Sequence, residues 1–224
     1  MVSQHNRRTR IHNAWPVARE GLPFIVAGTL FTVVFIILGW IIISIVLGAL
    51  TLFTLTFFRD PERRSSPTGK AVLTPADGRI LAVRDLEDHL NVYGAPAKKI
   101  SIFMSVFNVH VNRVPCSGKI VSTAYHHGKF FSAHLDKASE KNESNAITME
   151  TEGGHRIQFV QIAGLVARRI VCWVEQRDQV IQGERFGLIR FGSRLDVYAP
   201  PDSNIIVQGG DHVKAGKSVL GYLP

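Results

Sequence analysis

The stretch Gly183-Glu184-Arg185-Phe186-Gly187-Leu188-Ile189-Arg190-Phe191-Gly192-Ser193-Arg194-Leu195-Asp196 decides how the C-terminal part of this 224-residue chain folds. Phe186 to Phe191 and Leu195 to Tyr198 read as short strands, built from apolar and aromatic residues that suit a pleated surface. Gly192-Ser193 stands between them, and a Gly-Ser pair by itself marks a turn. The same pattern recurs upstream, in Gly78 to Val83, Lys99 to Phe107, Gly118 to Ala124, Ala146 to Glu150, Arg156 to Ile162 and Val166 to Val174. Phe130 to Glu143 is the best helix or loop candidate in this part.

Working outward, the closing segment 209–221 reads as strand-turn-strand and resembles the hairpins of lipoyl- and biotinyl-like barrel-sandwich domains. It lacks a Met-Lys-type attachment site, which argues against a swinging-arm carrier. At the other end, residues 21–58 contain no charged residue and no histidine. As one helix these 38 positions would extend about 57 Å, against about 30 Å of bilayer hydrocarbon. Two segments, Leu22 to Leu38 and Ile41 to Phe58 with Gly39-Trp40 at the bend, fit better. Arg7, Arg8, Arg10 and Arg19 precede the run, and Arg59, Arg63 and Arg64 follow it, which favours both ends facing the cytoplasm. The run is too long for a cleaved signal peptide, and the alternative is a buried pair of core helices. The expected organisation is a basic segment 1–20, a membrane hairpin 21–58, and a domain 59–224 beginning at a polar, proline-marked linker. The expected fold class is mainly β (α+β), a β-sandwich or barrel-sandwich-like domain behind an N-terminal hydrophobic helical hairpin.

The formal charge is +8, of which residues 1–20 carry +3. A basic surface meets nucleic acid or anionic lipid. No nucleic-acid-binding pattern stands out, and the hydrophobic run makes anionic membrane lipid the more economical partner. The two cysteines, Cys116 and Cys172, show no paired metal spacing and suit a reducing compartment as small core residues.

Two more motifs carry chemistry. Pro75-Ala76-Asp77-Gly78 is by itself an ordinary turn that starts a strand. In Phe107-Asn108-Val109-His110-Val111-Asn112-Arg113-Val114-Pro115, alternation puts Asn108, His110 and Asn112 on one strand face and Phe107, Val109, Val111 and Arg113 on the other. A lone strand histidine is more often structural than catalytic.

Together these motifs, in this order behind a hydrophobic segment, resemble the phosphatidylserine decarboxylases in their short bacterial form. The resemblance covers roughly residues 57 to 200, including Gly128 to Glu143 and Ile162 to Ile170. It implies a proenzyme that cuts itself between Gly192 and Ser193 into chains of residues 1–192 and 193–224, which stay associated. Ser193 would attack the Gly192 carbonyl; elimination and loss of ammonia would leave a covalent pyruvoyl group at the new N-terminus. Its ketone would condense with the amine of phosphatidylserine and accept electrons as carbon dioxide leaves, yielding phosphatidylethanolamine in phospholipid biosynthesis. The resemblance makes Asp77 part of the processing machinery, orienting a histidine. It makes His110 the group that takes the Ser193 proton or protonates the carbanion, roles that suit an imidazole of ordinary pKa about 6.5.

Arg113 stands where long-form members have a second histidine; it is a candidate contact for the substrate carboxylate or phosphate, or a structural ion pair. His126, His127 or His134 is the alternative second histidine. The usual Asn-Glu-Arg reads Asn142-Glu143-Ser144 here. Of the adjacent Arg168 and Arg169, only one would face the site on a strand. Other readings are a membrane-anchored binding protein without catalysis, a metal-dependent hydrolase built on His110 with His126, His127 or His134, and a decarboxylase of ether-lipid (archaetidylserine-type) substrates. No metal is expected, and a homo-oligomer is left open.

Overall fold

In a computed structural model, the residues described are 15–63, 69–87, 94–129, 131, 141–165, 169–190 and 192–224. They form two compact units, divided between Glu62 and Arg63.

The first unit is a helical pair, α1 (Leu22–Ile37) and α2 (Ile41–Phe57). Apolar residues surround both helices, so neither has a polar face to offer water. Their hydroxyls are satisfied within the helix: Thr29 donates to the Ile25 carbonyl, Thr32 to Gly28, Thr51 to Leu47 and Thr54 to Leu50, all at 2.7–2.8 Å. Such internal bonding is what a medium without hydrogen-bonding partners demands. The chain clasps itself at the base of the pair, where Ala18 N–H donates to the Phe58 carbonyl at 2.8 Å and Asp60 N–H to Pro16 at 2.7 Å. Arg19–Ile37 is long and apolar enough to cross a membrane, with mean hydropathy 2.0.

The second unit is built from strands. Its main sheet has eight strands, in the order β13 (His212–Val213), β2 (Gly78–Leu86), β3 (Ala97–Met104), β11 (Ser193–Ala199), β7 (Arg156–Ala163), β6 (Ser144–Thr151), β5 (Gly118–His126), β9 (Gln179–Val180), every pair antiparallel. Two three-stranded sheets complete it: β4 (Val111–Arg113), β10 (Arg185–Ile189), β8 (Ile170–Cys172), and β1 (Ala71–Leu73), β14 (Val219–Tyr222), β12 (Asn204–Ile205). The expected mainly-β class with an N-terminal helical pair is the class observed.

Antiparallel strands alternate their faces, and the core records this. Ile100 and Ile102 of β3, Ile157 and Phe159 of β7, and Leu195 and Val197 of β11 fall in one buried apolar cluster with Phe186 of β10. Ser193 is two residues before Leu195, so it begins the same inward row.

Three sequence expectations change. The strand expected over Lys99 to Phe107 ends at Met104, because Asn108 closes a turn: its Oδ1 accepts from Ser105 N–H at 2.9 Å and Ser105 Oγ at 2.8 Å. Strand geometry in the histidine motif is therefore confined to Val111–Arg113, and the face assigned by alternation to Asn108 and His110 does not apply. The closing strands are also not a hairpin. β13 pairs with β2, while β14 pairs with β1 and β12. Most of the 130–143 segment, including His134, lies outside the described residues, as does Arg168.

Candidate functional site

Two connections cross side by side from the eight-stranded sheet to the sheet of β4, β10 and β8. One leaves β3 at Met104 and enters β4 at Val111; the other leaves β10 at Ile189 and enters β11 at Ser193. Pairing ties them at both ends, since Ser193 is opposite Met104 and Leu188 is opposite Val111. His110 precedes Val111 and so lies in one crossing, with Gly192 in the other. The topology thus brings the histidine motif and the Gly-Ser pair together although they are some 80 residues apart in sequence.

Gly192 has φ +64°, in the left-handed region that costs an L side chain, and a Cβ added there would meet nothing within 4 Å. The backbone ahead of Ser193 is thus both specially turned and open. Ser193 itself is fully buried, and its Oγ donates to Met104 Sδ at 3.3 Å. Behind it runs a line of buried amides: Asn112 Nδ2 donates to the same sulfur at 3.7 Å, Gln161 Nε2 to Asn112 Oδ1 at 3.0 Å, and Asn145 Nδ2 to Gln161 Oε1 at 3.1 Å. Polar side chains so deep stand only because each is hydrogen-bonded. Gln161 was not singled out by the sequence reading. Its signal is a single amide in the inward row Ile157, Phe159, Gln161, Ala163.

His110 is 2% exposed, with Nδ1 2.9 Å from the Asn108 carbonyl. A carbonyl only accepts, so Nδ1 carries the proton and Nε2 is the basic nitrogen of the neutral ring. Asp77 is reached through the backbone: Arg113 N–H, in β4, donates to the Pro75 carbonyl at 2.9 Å. The Asp77 carboxylate is gripped by the two terminal guanidinium nitrogens of Arg63, and its Oδ1 accepts the Ala215 N–H at 2.7 Å. Among the described residues, Arg63 is the side chain that pairs with Asp77, a partner the sequence reading counted only as flanking charge. The glycine of this motif has a steric reason, since a Cβ at Gly78 would sit 2.0 Å from the Phe103 carbonyl.

Arg113 is buried and donates to the Gly183 carbonyl at 2.9 Å. Its pairing with Arg185 puts it at the end of β10 away from Ser193. His126 and His127 are exposed, at and just beyond the end of β5. Burial raises the Cys116 thiol to about 12 and the Cys172 thiol to about 11, so both stay protonated at neutral pH and neither is an activated nucleophile. Among the described residues no three His, Cys, Asp or Glu side chains cluster as metal ligands would.

The opposite face of β11 anchors the strand. Arg194, 3% exposed, donates to Asp196 Oδ1 at 2.6 Å and to Ser101 Oγ at 2.7 Å, while Lys99 meets the other Asp196 oxygen at 3.1 Å. Breaking a buried pair leaves an undercompensated charge. Arg194→Met is expected to cost about 3 kcal/mol of stability, read as a lowered unfolding midpoint in detergent.

The model of the family described as phosphatidylserine decarboxylase matches residues 50–221. The chain is 53% identical over 208 residues to the phosphatidylserine decarboxylase proenzyme of Syntrophus aciditrophicus, covering 92% of this chain and 96% of that one. It is 47% identical over 215 residues to the proenzyme of the same name from Geobacter metallireducens, covering 93% and 97%. A third, from Desulfotalea psychrophila, is 47% identical over 208 residues, covering 93% and 97%.

Proposed function

Since the chain belongs to the phosphatidylserine decarboxylase family, we propose that it is a proenzyme that cuts itself between Gly192 and Ser193 and then converts phosphatidylserine to phosphatidylethanolamine. The carrying observation is the position of that peptide bond. It joins β10, held by β4 and β8, to β11, held by β3 and β7. Either side of a break would remain hydrogen-bonded into a sheet, so the chains 1–192 and 193–224 would stay together.

Self-cleavage begins with Ser193 Oγ, whose proton His110 Nε2 takes. Oγ attacks the Gly192 carbonyl carbon, the Gly192–Ser193 carbon–nitrogen bond breaks, and the amide becomes an ester with a free amine on residue 193. Loss of the Ser193 α-proton then breaks the Cβ–Oγ bond. Gly192 departs as a carboxylate, and water releases the nitrogen as ammonia, leaving a pyruvoyl group at position 193. The residues present fit that group: it would end a buried strand beside the Asn112 and Gln161 amides, with the side toward Gly192 open. When formed, the pyruvoyl ketone supplies a carbonyl that condenses with the substrate amine and takes up the electrons freed as carbon dioxide leaves. His110 Nε2 would then give a proton to the carbon from which carbon dioxide has left. Asp77 acts as a positioning residue, held by Arg63 and linked through the Pro75 carbonyl to Arg113 of β4, the strand that follows His110.

The helical pair holds the protein at the bacterial inner membrane, with domain 59–224 on the cytoplasmic side, and the basic flanks favour anionic lipid.

Gly192→Ala is expected to slow self-cleavage roughly tenfold, since an L residue at this φ costs about 1–2 kcal/mol; a time course of chain cutting on a denaturing gel measures it. The overall reading is tested by giving the purified protein phosphatidylserine labelled at the serine carboxyl. Labelled carbon dioxide and phosphatidylethanolamine in equal amounts support it, and unchanged lipid overturns it. A parallel serine lipid with ether-linked tails shows whether the tails are read.

A further inference from the structure

Ser193, Met104 and Ala163 sit in one row across β11, β3 and β7. From that row the chain presents apolar side chains to solvent. The turn after Met104 carries Phe107, 76% exposed, and the segment after Ala163 carries Leu165, 63% exposed. Phe131, 39% exposed, is tied to the same row by Asn142, whose Nδ2 donates to the carbonyls of both Phe131 (2.8 Å) and Ala163 (2.7 Å). Exposed apolar residues grouped at one end of a sheet call for a partner more than scattered ones do.

The charges nearby say which partner. Lys129, Lys141 and Arg169 are all exposed. The backbone links Lys129 to Lys141, and Arg169 to Arg190 just ahead of the Gly-Ser pair. The acid on this rim among the described residues is Glu143, whose carboxylate accepts the Tyr125 hydroxyl. Apolar tips ringed by cations match an anionic bilayer surface, with an acyl boundary for the tips and phosphates for the cations.

We propose that this rim is a second bilayer-contact surface, separate from the helical pair, that seats the Ser193 end of the sheet on anionic lipid. It rests on the reading of Ser193 as the reaction site. Phe107 and Leu165 enter the boundary between headgroups and acyl chains, and the serine headgroup is taken without the lipid leaving the bilayer.

The test uses the full chain carrying Phe107→Ser and Leu165→Ser, with two substrates. One is long-chain phosphatidylserine in vesicles of phosphatidylcholine and phosphatidylglycerol; the other is a short-chain phosphatidylserine below its micelle concentration. The expected result is normal self-cleavage, short-chain turnover within twofold of the unaltered chain, and vesicle turnover at least tenfold lower at subsaturating lipid. Phe107→Trp with Leu165→Trp retains vesicle turnover. Unchanged vesicle turnover, or an equal loss on both substrates, overturns the proposal. Should the double variant fail to cleave itself, Phe107→Gln alone carries the same comparison, with at least a threefold selective loss expected and no selective loss overturning it. Failure of the underlying reading looks different: the unaltered chain then converts neither substrate.

Discussion

Ser193→Ala is expected to give one uncut chain with no measurable decarboxylase activity. Without Oγ there is nothing to attack the Gly192 carbonyl, so neither the ester nor the group derived from it can form. The substitution is also structurally mild. Position 193 is fully buried, alanine fills most of its volume, and the hydroxyl gives up only a 3.3 Å approach to a thioether sulfur, a weak acceptor. The backbone pairing with Met104 and Ala163 remains. An unfolding midpoint close to that of the unaltered chain, beside complete loss of cutting, separates a chemical role from a packing one. Appreciable cutting in the alanine variant would remove Ser193 as the nucleophile.

His110→Ala is the second large effect. A positioned general base contributes about 10²–10⁴ in rate, and self-cleavage is expected to slow by that order. The substitution also removes the Nδ1 bond to the Asn108 carbonyl, worth about 1 kcal/mol. His110→Asn separates the two, because its amide nitrogen lies close to where Nδ1 was while no basic nitrogen replaces Nε2. Both variants should cut equally slowly. If asparagine cuts at the unaltered rate, His110 serves the turn rather than the proton. Decarboxylation measured per cut chain should fall as well, since the same Nε2 is assigned the proton that replaces carbon dioxide.

The strands that hold this site were legible because their signal is local. Arg156 to Ile162 reads as a strand and is found in β7, and the strands on either side of Gly192-Ser193 stand where their composition put them. Local signals failed where distant partners or a single side chain decide. Val109 to Arg113 has strand composition, yet Asn108 turns the chain back onto Ser105 and leaves strand geometry only from Val111. The closing segment looks like a hairpin, but its halves pair with β2 and with β1 and β12, and no short-range pattern records that. Asp77 was singled out through the family resemblance, since its motif alone reads as a turn. Its partner Arg63 was not, because a guanidinium beside a hydrophobic run reads first as flanking charge. Gln161 and Asn145 were missed for a similar reason: an amide within a strand gains meaning only once Asn112 is seen across from it. Arg194 and Asp196 were given no role by the sequence reading, and they form an anchor because both faces of β11 are buried.

The most direct test of the central claim is the intact mass of the unaltered protein under denaturing conditions. Two chains are expected, one ending at Gly192 and one comprising residues 193–224, the smaller lighter by one ammonia than a peptide that begins with serine. A single uncut chain in well-folded, active protein would contradict the account, and so would a small chain of full serine mass.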